Sequence, residues 1–312
     1  MSDSTLDSID DRSPIAERQQ ELSARVARLT QADGVHQSAF APLALIRASL
    51  PTVCTPTVYQ PCLAFVVQGR KRALLNDEVF HYDALNYLVV SVTLPGVGQV
   101  LEASIERPYL CLRLNLDLEQ VARLLLELGE HGVAPVAADR GLFVARMDEP
   151  LLDAVLRMVK LLDAPQDIAV LAPVIQHEIY YRVLRGDLGR RLADLAEGDG
   201  ASHRVVRAIE WLKQRYAAPL RIEELADAMH MSASALHHRF KAVTAMSPLQ
   251  YQKQLRLHEA RRLIFSEGIE CATAGHRVGY ESPSQFSREY RRLFGAPPRA
   301  EVARLRDMGV PA

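Results

Sequence analysis

The chain has 312 residues, 48% hydrophobic and 24% charged, with four cysteines and a formal net charge of −1. A prior of ~150 residues per domain gives two domains. This ordinary globular mix excludes a disulfide scaffold and a fibrous protein, and no apolar run reaches the ~18 residues of a membrane span. The near-neutral charge is a cancellation. Residues 1–200 hold 19 Lys and Arg against 27 Asp and Glu, a net −8; residues 201–312 hold 18 against 11, a net +7, with six of the ten histidines. Such asymmetry predicts one basic module with an anionic partner and one acidic module with a different task.

Residues 1–15 carry Asp3, Asp7, Asp10 and Asp11 and no apolar block, so they read as a solvated tail and not a secretory signal. Residues 16–195 read as one domain. From Leu43 to Leu116 short apolar runs (62–68, 87–92, 109–114) are broken by turn residues, the pattern of an all-β sheet or barrel. Asn76-Asp77-Glu78 is a hairpin tip between Arg72–Leu75 and Val79–Tyr82. Strand alternation puts Cys62, Ala64, Val66 and Gln68 on one face, and Tyr109, Cys111 and Arg113 on one face of another strand.

After Asn115 the period becomes helical, and helices are expected over about 117–186. Leu118, Val121, Leu124, Leu125 and Leu128 form one stripe. Pro150 opens a second helix with Leu151, Val155, Met158 and Leu162 on one side, and a third runs from about Leu171 to Leu184, ending near Gly186. Their apolar faces must pack on the barrel or against a second chain. Glu197-Gly198-Asp199-Gly200-Ala201 coincides with the charge switch, so a linker is placed at 196–202. Residues 203–302 read as all helix.

Within this basic part, Ile222–Met229 is a short amphipathic segment, His230-Met231 turns, and Ser232 caps a second helix with Leu236 and Phe240 inward. Small Ala226 lets the two axes approach, which makes a helix-turn-helix. About 50 residues on, the unit recurs. Cys271–His276 leads to a turn at Arg277–Tyr280, and Ser282-Pro283-Ser284-Gln285 is a capping box opening a helix with Phe286, Tyr290, Leu293 and Phe294 inward. Between them a second box, Ser247-Pro248-Leu249-Gln250, starts a helix to about Ile264. At ~1.5 Å per residue it is a rod of ~25 Å. Two reading heads in successive major grooves stand ~34 Å apart, a distance that such a rod plus the width of each head sets.

Residues 203–300 resemble the DNA-binding domain of AraC/XylS-type transcriptional regulators. The marks are Ser247-Pro248 with Tyr251, Arg256-Leu257 with Ala260-Arg261, Gly279-Tyr280 with Phe286-Ser287-Arg288, and Phe294-Gly295-Ala296-Pro297-Pro298. Gln68-Gly69-Arg70-Lys71, Tyr87-Leu88-Val89-Val90-Ser91 and Pro108-Tyr109-Leu110 resemble the N-terminal domain of one branch of that family. The implied architecture is α+β with two domains: a small cupin-like β-barrel with flanking helices, then an all-α tandem helix-turn-helix domain. Arg221 departs from the pattern by replacing a usual Ser or Thr cap, and Cys271 and Gly275 replace larger aliphatic residues or Ala.

In a helix-turn-helix the first exposed residues of the second helix meet base edges. Those expected to face DNA are Ser234, His237, His238, Arg239 and Lys241 in the first unit, and Ser284, Gln285, Ser287, Arg288, Arg291 and Arg292 in the second. Arg288 suits guanine and Gln285 adenine, although Gln285 also has a capping role. Arg256, Arg261 and Arg262 add positive charge, with ion pairing of Arg261 and Arg262 to Glu259 or Glu267 as the competing reading. About five phosphate contacts predict a log K versus log salt slope of about −4.5.

The resemblance gives the acidic domain a small-molecule effector, with Cys62, Gln68, His81, Tyr109, Cys111 and Arg113 as the expected pocket. A cupin metal site needs several His and a Glu, whereas only His81 lies in the barrel run, so no metal or other cofactor is expected. Two other roles stand beside the effector reading. In one, Arg113 lowers the pKa of Cys111 and the thiols sense electrophiles or oxidants; in the other, the domain only dimerises. No nucleophile-base pair or phosphate loop points to an enzyme. The resemblance further implies a cytoplasmic homodimer that binds double-stranded DNA and activates through RNA polymerase.

Overall fold

A computed structural model describes residues 14–129, 140–187, 189–196 and 200–307. Among the described residues ten strands form two antiparallel sheets that face each other. In chain order they are β1 (Gly34–Gln37), β2 (Leu43–Ala48), β3 (Thr55–Tyr59), β4 (Cys62–Gln68), β5 (Arg70–Leu75), β6 (Glu78–Asp83), β7 (Asn86–Val90), β8 (Leu94–Glu102), β9 (Tyr109–Asn115) and β10 (Leu142–Arg146). The larger sheet has the order β1-β2-β9-β4-β7-β10, the smaller β3-β8-β5-β6. Asn76 and Asp77 turn the β5–β6 hairpin, with Leu75 opposite Glu78.

Both faces of the larger sheet are buried, which is why β4 and β9 read as nearly unbroken apolar runs. On one face Leu63, Phe65, Val67 and Leu112 meet Leu22 and Val26 of α1 (Pro14–Leu29) and Leu152 and Val155 of α3 (Glu149–Leu161). On the other, Cys62, Val66, Leu88, Tyr109 and Cys111 meet Ala73, Leu75, Tyr82 and Val100 of the smaller sheet. α2 (Leu118–Leu128) is capped by Asp117 and α3 by Asp148, each accepting backbone N–H groups. α4 (Pro165–Arg185) and α5 (Gly189–Ala196) complete this half.

The second half is helical: α6 (Ala201–Gln214), α7 (Ile222–Ala228), α8 (Ala233–Thr244), α9 (Pro248–Ser266), α10 (Cys271–Arg277), α11 (Pro283–Phe294) and α12 (Pro298–Asp307). The cluster between the sheets continues without a break into it, through Val205 and Ile209 of α6, Leu236, Phe240 and Val243 of α8, and Tyr251 of α9. Hydrogen bonds stitch this seam. Tyr251 Oη donates to Thr93 O (2.7 Å), Gly141 N to Val243 O (2.8 Å), and Arg140 Nη1 to Ala242 O (2.7 Å). The second helix-turn-helix keeps a separate cluster around Leu257, Ala260, Phe286 and Tyr290.

Several expectations need correction. The proposed tail of residues 1–15 ends inside α1, because Pro14 and Ile15 are its first residues; residues 1–13 lie outside the described residues. The span 117–186 is not all helix: Leu142-Phe143-Val144-Ala145 pairs with β7 and adds a strand to the larger sheet. Of the 196–202 linker, Ala196 closes α5 and residues 201–202 open α6, while 197–199 lie outside the described residues.

Tyr251→Phe keeps the ring packing but removes the donor to Thr93. Urea unfolding should show a loss of about 1–3 kcal/mol, the cost of leaving a buried carbonyl without that partner; an unchanged midpoint contradicts the seam.

Candidate nucleic-acid interface

In the first unit Arg221 stands at the N-cap of α7 and makes no side-chain capping bond, as its chemistry dictates. Ser232 Oγ caps α8 by accepting from Ala235 N at 3.2 Å. Buried Leu225 and Ala226 of α7 pack in one cluster with Leu236 and Phe240 of α8. Ser234, His237, His238 and Lys241 are exposed on α8. Arg239 departs from the expected set. It is half-buried and turned to Asp194 of α5 at 3.9 Å, with its Nε buried and without a hydrogen-bond partner. At ~100° per residue it leaves the face that His237 and Lys241 share.

In the second unit the Glu270 carboxylate caps α10, accepting from Ala272 N (2.8 Å) and Thr273 N (3.1 Å). Gly275 has a packing reason: a methyl there would stand 2.8 Å from Phe286 Cδ1, so the crossing of α10 and α11 needs its absence. Ser282 Oγ accepts from Gln285 N at 3.3 Å, but the Gln285 amide turns to Glu289 Oε1 (3.2 Å). That box is half made, whereas the Ser247–Gln250 box is complete. Ser284, Gln285, Arg288, Arg291 and Arg292 are exposed and Ser287 is half-buried.

The linker helix α9 has 19 residues, a rod of ~28 Å. Its Arg256 is not presented to a phosphate. The guanidinium donates to four carbonyls: Tyr216 O (2.7 Å), Gly279 O (3.0 Å), Ala217 O (3.2 Å) and Ala218 O (2.9 Å). These bonds tie the turn of the second unit to the loop before α7. Gly279, at φ +90, fits there because any Cβ would stand 2.1 Å from Ala217 O. Arg261 pairs with nearly buried Glu301 (2.7 Å), which also accepts from Tyr290 Oη (2.7 Å). Arg262 pairs with Glu259 and Glu267 (2.7 and 3.0 Å). Charge counted along the sequence therefore overstates the cations available to DNA.

The expected effector residues separate. Cys62, Tyr109, Cys111 and Arg113 lie on strand faces turned to the space between the sheets. Gln68 is engaged elsewhere: its Nε2 donates to Pro108 O (2.7 Å) and its Oε1 accepts from Ser23 Oγ of α1 (3.0 Å). His81 is exposed on the outer face of β6, opposite in parity to buried Tyr82. Lys71, Tyr59 and Tyr82 reach the same interior and were missed. Lys71 sits in the run Arg70-Lys71-Arg72, which looks like a solvated stripe; only its parity with Ala73 and Leu75 carries the signal.

Burial pushes the Cys62 thiol up to about 12 and raises Cys111 as well. Lys71 and Arg113 pull the other way and lose to desolvation, so the expected activation of Cys111 by Arg113 is reversed. Among the described residues no group of three or more His, Cys, Asp or Glu is placed to share a metal ion.

Among the described residues three spaces lie between the halves, one of them, of about 350 Å³, set by Leu74, Pro95 and Val97 against Lys253, Leu257 and Arg292. A cavity of about 660 Å³ is walled by Val58, Gln60 and Thr93 on one side and Tyr216, His258 and Phe265 on the other. Burial lowers the His258 pKa to about 4, so its ring is neutral at pH 7. A groove of about 740 Å³ joins Ser234, His237, His238 and Lys241 of α8 to the hairpin tip Asn76–Glu78 and Arg140. Arg140 Nε donates to Glu78 Oε2 (2.8 Å).

Two helix-turn-helix units on one rigid helix, each with a polar, exposed first turn, define a DNA-binding regulator of transcription. Residues 39–191 match the AraC-type transcriptional regulator N-terminus and residues 225–304 match a helix-turn-helix domain. The chain belongs to the AraC-type transcriptional regulators. It is 30% identical over 163 residues to the HTH-type transcriptional activator RhaS of Escherichia fergusonii, covering 52% of this chain and 58% of that one. To RhaS of Pectobacterium atrosepticum it is 31% identical over 105 residues, 33% and 38% of the two chains. The matches thus span roughly half or less of these curated relatives.

Among solved structures, the apo form of a lysine-to-alanine variant of ToxT from Vibrio cholerae superposes with a TM-score of 0.55 at 8% identity, over 83% of this chain and 96% of that one. ToxT crystallised with an unsaturated fatty acid gives 0.54 at 8% identity, over 83% and 93%. That likeness is one of fold. No helix among the described residues is long and apolar enough to cross a membrane.

The exposed cations on the reading helices are Lys241, Arg288, Arg291 and Arg292. With Arg288 kept for a base edge, about three phosphate contacts lower the expected salt slope to about −2.7. Fluorescence anisotropy against salt should show Lys241→Ala reducing the slope by about 1. Arg288→Ala should cost about 1–3 kcal/mol and relax specificity at one base pair. Arg256→Ala should weaken binding with the slope unchanged; a reduced slope would make it a phosphate contact.

Proposed function

We propose that the chain is a cytoplasmic, effector-responsive transcriptional activator. It binds double-stranded DNA as a homodimer through α8 and α11, and acts on RNA polymerase from the bound site. Base reading falls to Ser234, His237 and His238 in the first unit, and to Ser284, Gln285 and Arg288 in the second. Lys241, Arg291 and Arg292 meet phosphates, and Ser287 supports its neighbours from the edge of the contact. Activation is in keeping with the activator names of the RhaS relatives.

The observation that carries this reading is the groove between α8 and the hairpin tip. The residues expected to enter the major groove face an acidic turn of the effector domain, with Asp77 and Glu78 in it. A duplex and that hairpin compete for the same side of α8. The described arrangement is therefore the resting form, and an effector that prefers the undocked form shifts the chain toward DNA. Such an effector binds the barrel. The dimer forms through α4, where Val170, Val174 and Tyr181 are exposed at helical spacing beside Leu126 of α2.

The test is operator affinity without effector, on sites recovered by genome-wide mapping. Glu78→Gln with Arg140→Ala cuts the ion pair that holds the hairpin to the seam. DNA binding should tighten about fivefold or more, close to 1 kcal/mol in this equilibrium. Affinity equal to or weaker than that of the unsubstituted chain contradicts the resting-form reading.

A further inference from the structure

The motif Gln68–Lys71 contributes a side chain that none of the preceding chemistry uses. Lys71 shares the inner face of β5 with fully buried Ala73 and Leu75. Its Nζ crosses the space between the sheets to stand 5.9 Å from the centre of the Tyr109 ring on β9. Arg113, two residues beyond Cys111 on that strand, is paired with inward Ala64 and has a buried Nε without a hydrogen-bond partner. Neither cation has an ion pair among the described residues, and Lys71 has no hydrogen bond there. The groups that act electrostatically on Lys71 are Cys111, Cys62 and Arg113, none of them a carboxylate.

Two positive groups turned into one interior without a counter-charge are costly to hold. Burial already pulls the Lys71 ammonium below the ordinary lysine range. The interior is not sealed on this side. Ala64, Lys71, Gly98 and Arg113 retain accessible surface, while neighbouring Ala73 and Cys111 retain almost none. A methyl at Gly98 would stand 2.9 Å from Tyr59 Oη and 3.5 Å from Lys71 Cε, so the glycine is what lets those two side chains lie inward.

We propose that the interior between the two sheets binds a small organic monocarboxylate, its carboxylate held between Lys71 Nζ and the Arg113 guanidinium and its apolar body against the aromatic and aliphatic walls. This deepens the effector reading and rests on it. A guanidinium fork matches a carboxylate through two parallel hydrogen bonds, and an ammonium adds a point charge. A sugar is a poor occupant, because the walls offer thiols, phenols and hydrocarbon but few acceptors for its hydroxyls. A phosphate dianion would bring a larger hydration shell than two cations in an apolar chamber replace.

The test uses the full chain with benzoate, hexanoate and decanoate, their primary amides, and inorganic phosphate, read by thermal unfolding and calorimetry. At least one carboxylate should raise the unfolding temperature by several degrees, with its amide giving less than a quarter of the shift. Lys71→Met and Arg113→Met should each weaken that carboxylate at least tenfold, while His258→Ala, in the cavity between the halves, leaves it unchanged. Ligand-free Lys71→Met should unfold no earlier than the unsubstituted chain, because an uncompensated cation has been removed. No shift from any carboxylate overturns the proposal, as does a Lys71→Met chain that unfolds several degrees earlier. Amides as effective as carboxylates, or binding retained in Lys71→Met, also overturn it but leave an effector domain standing. Binding lost in His258→Ala alone moves the ligand to the other cavity, and a shift from phosphate alone removes the organic acid.

Discussion

The continuity of one buried cluster, from between the two sheets into the first helix-turn-helix, constrains everything else in this chain. Val90, Val92 and Leu94 on the barrel side and Phe240, Val243 and Tyr251 on the helical side belong to a single core. Its polar backbone is satisfied across the seam at Thr93–Tyr251 and Gly141–Val243. Any change between the sheets is thereby in mechanical contact with the C-terminal end of α8. The acidic half and the basic half are separate in sequence and charge but not in packing.

The second unit obeys a different constraint. It shares little with the barrel core and is positioned by α9 and by the Arg256 guanidinium, which accepts no alternative partner while four carbonyls surround it. Charge-assisted bonds to carbonyls are directional, so they fix the angle of α10 and α11 to the rod more firmly than apolar contact alone. The first unit thus shares its core with the N-terminal domain, whereas the second keeps its own core on the linker helix. A shift of one relative to the other changes the stride along a duplex.

The C-terminal half was legible because its signals are local. Ser232, Ser247 and Ser282 announce helix starts, and the apolar spacing of Leu236 with Phe240, or Phe286 with Tyr290, gives the inner faces. What the sequence hides is direction. Arg239, Arg256 and Arg261 count as positive charge in any window, yet each is turned to an acceptor within the fold. In the barrel, alternation placed Cys62 and Cys111 inward, but His81 fell on the outer parity, and Lys71 was concealed by its basic neighbours. α1 and β10 were missed for another reason. A 16-residue helix with few apolar positions and a five-residue strand after a break both depend on partners far along the chain.

The central claim is that docking of α8 on the N-terminal domain and docking of α8 on DNA exclude each other. A disulfide across the seam tests it most directly. Positions 141 and 243 face each other there: a Cβ on Gly141 would lie 3.2 Å from Val243 Cγ1 but 2.7 Å from Val92 Cγ2, so the pair is made together with Val92→Ala to clear the added atom. Operator binding by the Gly141→Cys, Val243→Cys chain should fall at least tenfold when oxidised and return on reduction, with circular dichroism unchanged. Equal binding by the oxidised and reduced chains would mean that DNA is read with the seam closed, and the account would fail.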